Sequence, residues 1–116
     1  MQKDKILVCV LKKEWFDKIK SGEKTHEYRE VKDYWIKRIG LDKNGVEYKY
    51  RNADGYLKTS IRPNIIHLTC GYCSPKEISK NLFFEIIDIK VVNGLNTDLN
   101  IDNKVFDIKL GNRILM

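Results

Sequence analysis

The stretch from residue 19 to residue 29 places a helix stop directly before a strand that is dense in charge. A short helical pattern ends in a turn that holds Lys20, and Gly22 follows it; both are usual signals for the end of a helix. From residue 24 to residue 31 the side chains alternate between two faces, which indicates a strand. We therefore interpret the rest of the chain as a scaffold that presents this strand.

The two faces of this strand differ in character. The alternation predicts one face with Thr25, Glu27, Arg29 and Val31, and an opposite face with Lys24, His26, Tyr28 and Glu30. Glu27 and Arg29 share the more apolar face, and charged side chains are rarely buried without a partner or a purpose. This favours a polar cleft. The alternative is a solvated strand whose cross-strand charge pairs contribute only tenths of a kcal/mol each.

The remaining patterns predict a domain made mainly of strands. Residues 6–11 form a continuous apolar run, which predicts a strand buried on both faces. A helix at 33–39 has Asp33 as a plausible N-cap and Gly40 as its stop. The other predicted elements are a helix at 14–21, strands at 64–70, 82–92 and 105–110, a polar loop at 93–103, and a final stop at Gly111 and Asn112. Trp15 and Trp35 are predicted to be core residues or plugs at the ends of a barrel, with Trp35 the more exposed of the two.

Residues 41–62 leave two alternatives open. The pairs Asn44-Gly45 and Asp54-Gly55 are turn signals, and the segment between them alternates like a strand. A hairpin with strands at 46–51 and 56–61 is one interpretation, and an exposed, mobile loop is the other.

These elements predict a single α+β, mainly β domain over residues 1–116, with five or six strands and two or three short helices. A closed or half-open barrel would bury such strands without an outer layer of helices. The longest apolar run is too short to cross a bilayer, no signal-type region is visible, and the three cysteines suit a reducing compartment. We expect a cytoplasmic protein with no membrane partner.

The basic excess is concentrated in one part of the chain. The formal net charge is +6, and residues 37–62 alone hold seven basic and three acidic residues together with three tyrosines. Basic residues attract phosphates, and aromatic rings stack on unpaired bases. The pattern predicts a nucleic-acid surface formed by Arg38, Lys49, Arg51, Lys58 and Arg62. The alternative is a solvated hairpin whose tyrosines pack on the barrel.

The Cys70-x-x-Cys73 pair is a weak metal signal. A structural zinc site needs two more ligands, and the sequence fixes neither His67, Cys9 nor His26 beside the pair. We predict strand-end cysteines, with neither a metal nor another cofactor.

The motif aromatic-x-x-Ile-x-x-Gly-x-Lys-Thr-x-Glu-x-Arg resembles the ASCH domain of the PUA-like superfamily. Here its residues are Phe16, Ile19, Gly22, Lys24, Thr25, Glu27 and Arg29. The resemblance implies a small PUA-like β-barrel whose cleft beside this strand binds RNA, a nucleotide or a modified base. It also implies a loop at the cleft edge near residues 71–72, where Tyr72 would stack on a base.

The expected ligand-binding residues are therefore Lys24, Thr25, Glu27, Arg29 and Tyr72, and the expected partner is RNA, another single-stranded nucleic acid or a nucleoside. The resemblance also implies a first alternative, an amidohydrolase that deacylates N4-acetylcytidine with Lys24 as a catalytic residue. Such hydrolases carry threonine where this chain has Glu27, which favours recognition over catalysis. A second alternative is a protein-interaction module without a small ligand.

Overall fold

The structure is a computed structural model that describes residues 4–115. In chain order its helices and strands are β1 (Ile6–Leu11), α1 (Lys13–Lys20), β2 (His26–Glu30), α2 (Asp33–Ile39), β3 (Lys49–Arg51), β4 (Leu57–Thr59), β5 (Ile65–Cys70), β6 (Asn81–Asn93) and β7 (Lys104–Ile114). Two short 3₁₀ helices, Ile78–Lys80 and Gly94–Asn96, flank β6.

Five strands form one curled sheet in the order β1-β5-β6-β7-β2. Strands β1 and β5 are parallel, and the other neighbours are antiparallel. Because β1 and β2 are the two edges of the sheet, the barrel is half-open between them. The predicted mainly β class with short helices is confirmed; including the separate β3–β4 pair, the described residues contain seven strands, more than the five or six predicted.

Strand β1 is buried on one face, so the prediction of burial on both faces is wrong. Leu7, Cys9 and Leu11 point into the core, whereas Ile6 and Val8 are 41% and 49% exposed. The inner face of β1 packs in the core of the half-barrel, while its outer face is accessible to solvent.

The two helices begin and end close to the predicted residues. Helix α1 buries Phe16 and Ile19, and Gly22 follows it with a φ of 85°, a left-handed conformation that glycine adopts without strain. Helix α2 has Lys32 at its N-cap position, so Asp33 is the first helical residue and not the cap. Its carboxylate still lies in the first turn, where the helix dipole favours an acidic side chain.

Residues 41–62 form the hairpin, not the mobile loop. Strands β3 and β4 pair antiparallel over three residues each, as a sheet of their own. The strands are shorter than predicted mainly at the end away from the turn, because residues 46–48 bond to the segment after α2, as in the hydrogen bond from the Asp42 N–H to the Val46 carbonyl at 2.8 Å. The Tyr48 N–H donates to the Gly40 carbonyl at 3.0 Å, so the hairpin is attached to the end of α2.

Strand β7 continues beyond the predicted stop. Leu110 pairs with Ile86 and Arg113 with Phe84, which leaves Gly111 and Asn112 opposite a single residue of β6. This β-bulge accommodates the two residues within the strand, and pairing resumes to Ile114.

The core lies between the concave face of the sheet and the two helices. Its fully buried side chains include Phe16, Phe106, Leu7, Ile39, Leu41, Ile66, Leu68, Leu82 and Ile108. Within residues 4–115, none of the helices has the length and apolar character needed to cross a membrane.

Candidate functional site

A cleft of about 460 Å³ lies at the open side of the half-barrel, between the edge strands β1 and β2. Helices α1 and α2 contribute Trp15 and Trp35 to it, and the loop at residues 98–101 completes it. Its lining residues are Val10, Leu11, Lys12, Trp15, Lys24, Glu27, Tyr28, Arg29, Glu30, Lys32, Trp35, Asp98, Leu99 and Ile101. The motif strand therefore forms one side of an open polar cleft.

Glu27 is the most buried charged residue of the cleft. It pairs in register with Ile108 of β7, so its side chain points to the core face of the sheet, and it is only 4% exposed. Its Oε1 accepts hydrogen bonds from the Lys24 Nζ and from the Tyr28 N–H, both at 3.0 Å. Its Oε2 accepts one from Arg29 Nη2 at 3.0 Å. The carboxylate is thus bonded on both oxygens and joins two cations.

Lys24 lies on the same side as Glu27, not on the opposite face that the alternation predicted. It precedes β2, and its backbone N–H donates to the Lys18 carbonyl at 3.0 Å, so it belongs to the turn after α1. Its Nζ also lies 2.7 Å from Asp98 Oδ2. Asp98 was missed from the sequence because an acidic residue in a polar loop carries no local signal of its distant partner.

Arg29 connects the two edges of the sheet. Its Nη2 donates to the Val10 carbonyl of β1 at 3.1 Å as well as to Glu27. Its Nε is buried without a hydrogen-bond partner among the described residues. Cys9 lies nearby: burial raises the pKa of its thiol to about 12, although the Arg29 charge opposes that rise.

Aromatic rings surround the two cations. The Lys24 Nζ lies 5.3 Å from the centre of the Trp15 ring and 5.6 Å from that of Tyr28. The Arg29 guanidinium carbon lies 5.0 Å from the centre of the Trp35 ring. These distances are typical of cation–π contacts. Both tryptophans line the cleft and are half-buried; Trp35 is partly exposed as predicted and packs against the core, whereas Trp15 is not one of the buried core residues.

Thr25 and Tyr72 are not among the residues that line the cleft. Thr25 is exposed, and its backbone carbonyl accepts a hydrogen bond from the Leu110 N–H of β7. Tyr72 is 97% exposed and lies beside Val8 and His67, on the outer face of β1 and β5. The turn after β5 therefore directs Tyr72 away from the cleft.

The predicted basic surface is only partly brought together. Arg51 and Lys58 line a groove beside the hairpin, whereas Arg38, Lys49 and Arg62 are exposed and lie outside that groove. Arg38 instead packs on the ring of Tyr34, with 3.5 Å between its guanidinium carbon and the ring centre, and donates to the Tyr34 carbonyl.

Within residues 4–115 no three His, Cys, Asp or Glu side chains are placed to hold a metal ion. Cys9, Cys70 and Cys73 are free thiols. His67 stacks on Phe83 and shares a hydrogen bond with Asn81 at 2.7 Å.

Comparison of this chain with protein-family models, with curated proteins and with solved structures gives no match.

Proposed function

We propose that the cleft between β1 and β2 binds the base of a nucleoside, a nucleotide or a single-stranded nucleic acid. The observation that supports this most is the combination of two indole rings with a buried, hydrogen-bonded set of charges at one open cleft. A planar ligand with donors and acceptors on its edge suits that combination.

The aromatic side chains favour a flat ligand. Trp15 and Trp35 are both half-buried at the cleft, one on each of the two helices beside it. Stacking of a base on an aromatic side chain contributes about 1–3 kcal/mol to binding.

The polar groups favour a ligand that both donates and accepts. The Lys24 ammonium has three N–H donors and two carboxylate partners, which leaves one donor for a ligand. Asp98 is partly exposed and binds Lys24 through Oδ2, so its other oxygen can accept from an amino group. The edge of a base such as cytosine presents both kinds of group.

The charge balance favours a neutral ligand group. The cleft is lined by four basic and three acidic residues, and both Lys24 and Arg29 already contact carboxylates. An added phosphate would compete with Glu27 and Asp98 for the same cations. A base, which is uncharged, does not.

The same contacts disfavour the amidohydrolase alternative. Nucleophilic attack by a lysine needs its neutral amine, whereas Lys24 is held by ion pairs to two carboxylates. The charged lining likewise disfavours a purely apolar docking site for a protein.

Tryptophan fluorescence provides a direct test. The chain has two tryptophans, and both line the cleft, so a bound base should quench their emission. We expect a saturable change on titration with at least one of cytidine, N4-acetylcytidine, uridine, adenosine or guanosine. If none of these nucleosides changes the fluorescence of the folded protein, the proposal is wrong.

A matched pair of variants distinguishes nucleoside binding in the cleft from an effect on tryptophan emission alone. Lys18 and Lys24 both lie over the Trp15 ring, with Nζ at 4.9 Å and 5.3 Å from its centre, but Lys18 does not line the cleft. Lys24→Gln should weaken nucleoside binding about tenfold, the effect of losing one charge-assisted hydrogen bond. Lys18→Gln should leave binding unchanged. Chromatography of the N4-acetylcytidine mixture tests the alternative, since release of cytidine would establish hydrolysis.

A further inference from the structure

We propose that a second site, the groove beside the β3–β4 hairpin, binds the phosphate backbone of a single-stranded nucleic acid. The groove would bind the same class of ligand as the cleft, but the two sites have no lining residue in common. It implies that the protein binds a single-stranded nucleic acid and not only a free nucleoside.

The groove has a volume of about 820 Å³ and is formed by three separate segments of the chain. The segment before β1 contributes Lys5, helix α2 contributes Lys37, and the hairpin segment contributes Tyr48, Tyr50, Arg51, Lys58, Thr59, Ser60 and Ile61. The Lys5 Nζ donates a hydrogen bond to the Ile61 carbonyl, which connects the first segment to the third.

The groove has a strong imbalance of charge. Four of its lining residues are basic and none is acidic. The part of the chain that the structure describes holds no ion pair to any of the four, which are Lys5, Lys37, Arg51 and Lys58. In the cleft, by contrast, Lys24 and Arg29 are both paired with carboxylates. Unpaired cations that converge on a groove attract a phosphate backbone and release its counterions on binding.

Aromatic faces lie among these cations. Tyr48 and Tyr50 are two residues apart, with ring centres 6.5 Å apart and planes at 17°. Tyr50 pairs in register with Lys58, so the ring and the ammonium group lie on the same face of the hairpin. An exposed ring next to a cation can stack on a base while the cation contacts the adjacent phosphate. An acidic peptide without flat side chains would use the cation but not the ring.

The position of the groove relative to the cleft fits a strand that reaches both. Trp35 lines the cleft and Lys37 lines the groove, and both belong to α2. Two residues along a helix correspond to a rotation of about 200°, so the sites lie on opposite sides of an element about 10 Å across. A few nucleotides are long enough to cross this distance.

Single-stranded, not duplex, nucleic acid is the expected ligand. The bases of a duplex are stacked on each other and are not available to Tyr50. The rings of an unpaired strand are free to stack on the tyrosines while its phosphates contact the lysines.

The test uses a fluorescently labelled oligouridylate of about ten nucleotides, within the range bound by single-strand sites, and its anisotropy at several salt concentrations. The Lys37→Gln/Lys58→Gln variant removes two groove cations. The Lys43→Gln/Lys76→Gln variant removes the same charge from exposed positions outside both the groove and the cleft and serves as the control.

We expect the groove variant to bind the oligonucleotide more weakly. The slope of log K against log salt should also be shallower by about 1.4, because each of the two lost phosphate contacts removes about 0.7 from it. The control should keep the slope. Tyr50→Leu should lose about fivefold or more through lost stacking, whereas Tyr50→Phe should keep the affinity. Circular dichroism of each variant establishes that the fold is retained.

Equal losses in the two double variants would overturn the proposal, because they would show an effect of net charge alone. Absence of salt-dependent binding by the unmodified protein, or binding of an acidic peptide instead of the oligonucleotide, would also overturn it. Failure of the cleft proposal has a different signature: oligouridylate binding that depends on Lys37 and Lys58, with no quenching by any nucleoside, supports the groove and contradicts the cleft.

Discussion

Arg29 of β2 donates a hydrogen bond to the backbone carbonyl of Val10 in β1, at 3.1 Å between Nη2 and O. The two strands are the edges of the five-stranded sheet, and no backbone ladder joins them. One side chain therefore spans the open side of the half-barrel, and the same guanidinium group bonds to Glu27 at the base of the cleft. Arg29 therefore both stabilises the fold and belongs to the candidate site.

Arg29→Gln should lower the free energy of unfolding by about 2–3 kcal/mol, because it breaks a partly buried ion pair and the bond to Val10. Arg29→Lys should also be destabilising, since an ammonium group cannot replace the flat guanidinium that packs on the Trp35 ring. Urea unfolding measures both changes. Arg62→Gln, at an exposed position, should change the value by no more than about 0.5 kcal/mol; equal effects at positions 29 and 62 would contradict the role of Arg29.

Gly94→Ala should destabilise the protein by about 1–3 kcal/mol through overpacking. A Cβ at this position would lie 2.7 Å from the Ile101 carbonyl oxygen and 2.9 Å from that of Asn103, and backbone atoms cannot move aside easily. Because the displaced loop contains Asp98, nucleoside quenching should weaken as well.

Gly55→Ala is the matched control for this change. The hairpin glycine has a φ of 83° but open space around its missing Cβ, so alanine should cost about 1 kcal/mol of backbone strain and leave nucleoside binding intact. Unchanged nucleoside binding in Gly94→Ala would mean that the loop does not position Asp98.

The three thiols should differ in reactivity. Cys9 is fully buried, whereas Cys70 and Cys73 are half-buried at the end of β5 and in the turn after it. Titration of the native protein with Ellman's reagent should therefore detect two fast thiols, and a third only in denaturant. Cys9→Ala should give two thiols under both conditions. Fast reaction of three thiols in the native protein would contradict the burial of Cys9.

Cys9 should also make stability fall at alkaline pH. Burial raises the pKa of its thiol from 9.0 to about 12, so the unfolded chain loses this proton at lower pH than the folded protein. The stabilisation is fully present below pH 9 and is lost as the pH rises from there towards 12. From pH 8 to pH 10, the unfolding free energy of the unmodified protein should fall by about 1.4 kcal/mol more than that of Cys9→Ala. Parallel pH profiles for the two proteins would contradict this.

Much of the local structure could be predicted from the sequence because its signals lie within a few residues. The apolar pattern around Phe16 and Ile19, the stop at Gly22 and the alternation after it define α1 and β2. The shared face of Glu27 and Arg29 was predicted in the same way, since a strand's pleat sets which side chains point together.

Two of the errors concern the direction in which side chains face, which depends on how strands and turns are arranged in the folded chain. Strand β1 was predicted to be buried on both faces, whereas its outer face leaves Val8 exposed. Tyr72 was predicted at the cleft, and the turn after β5 places it on the outer face.

The sequence by itself determined that a charged strand follows a helix stop and that Glu27 and Arg29 point to the apolar side of it. Only the tertiary structure decided what those charges meet. The Val10 carbonyl and the Asp98 carboxylate come from far along the chain on either side of the strand, brought there by strand order and loop path. Local conformational preferences act over a few residues, whereas the partners of a buried charge depend on the packing of the whole sheet.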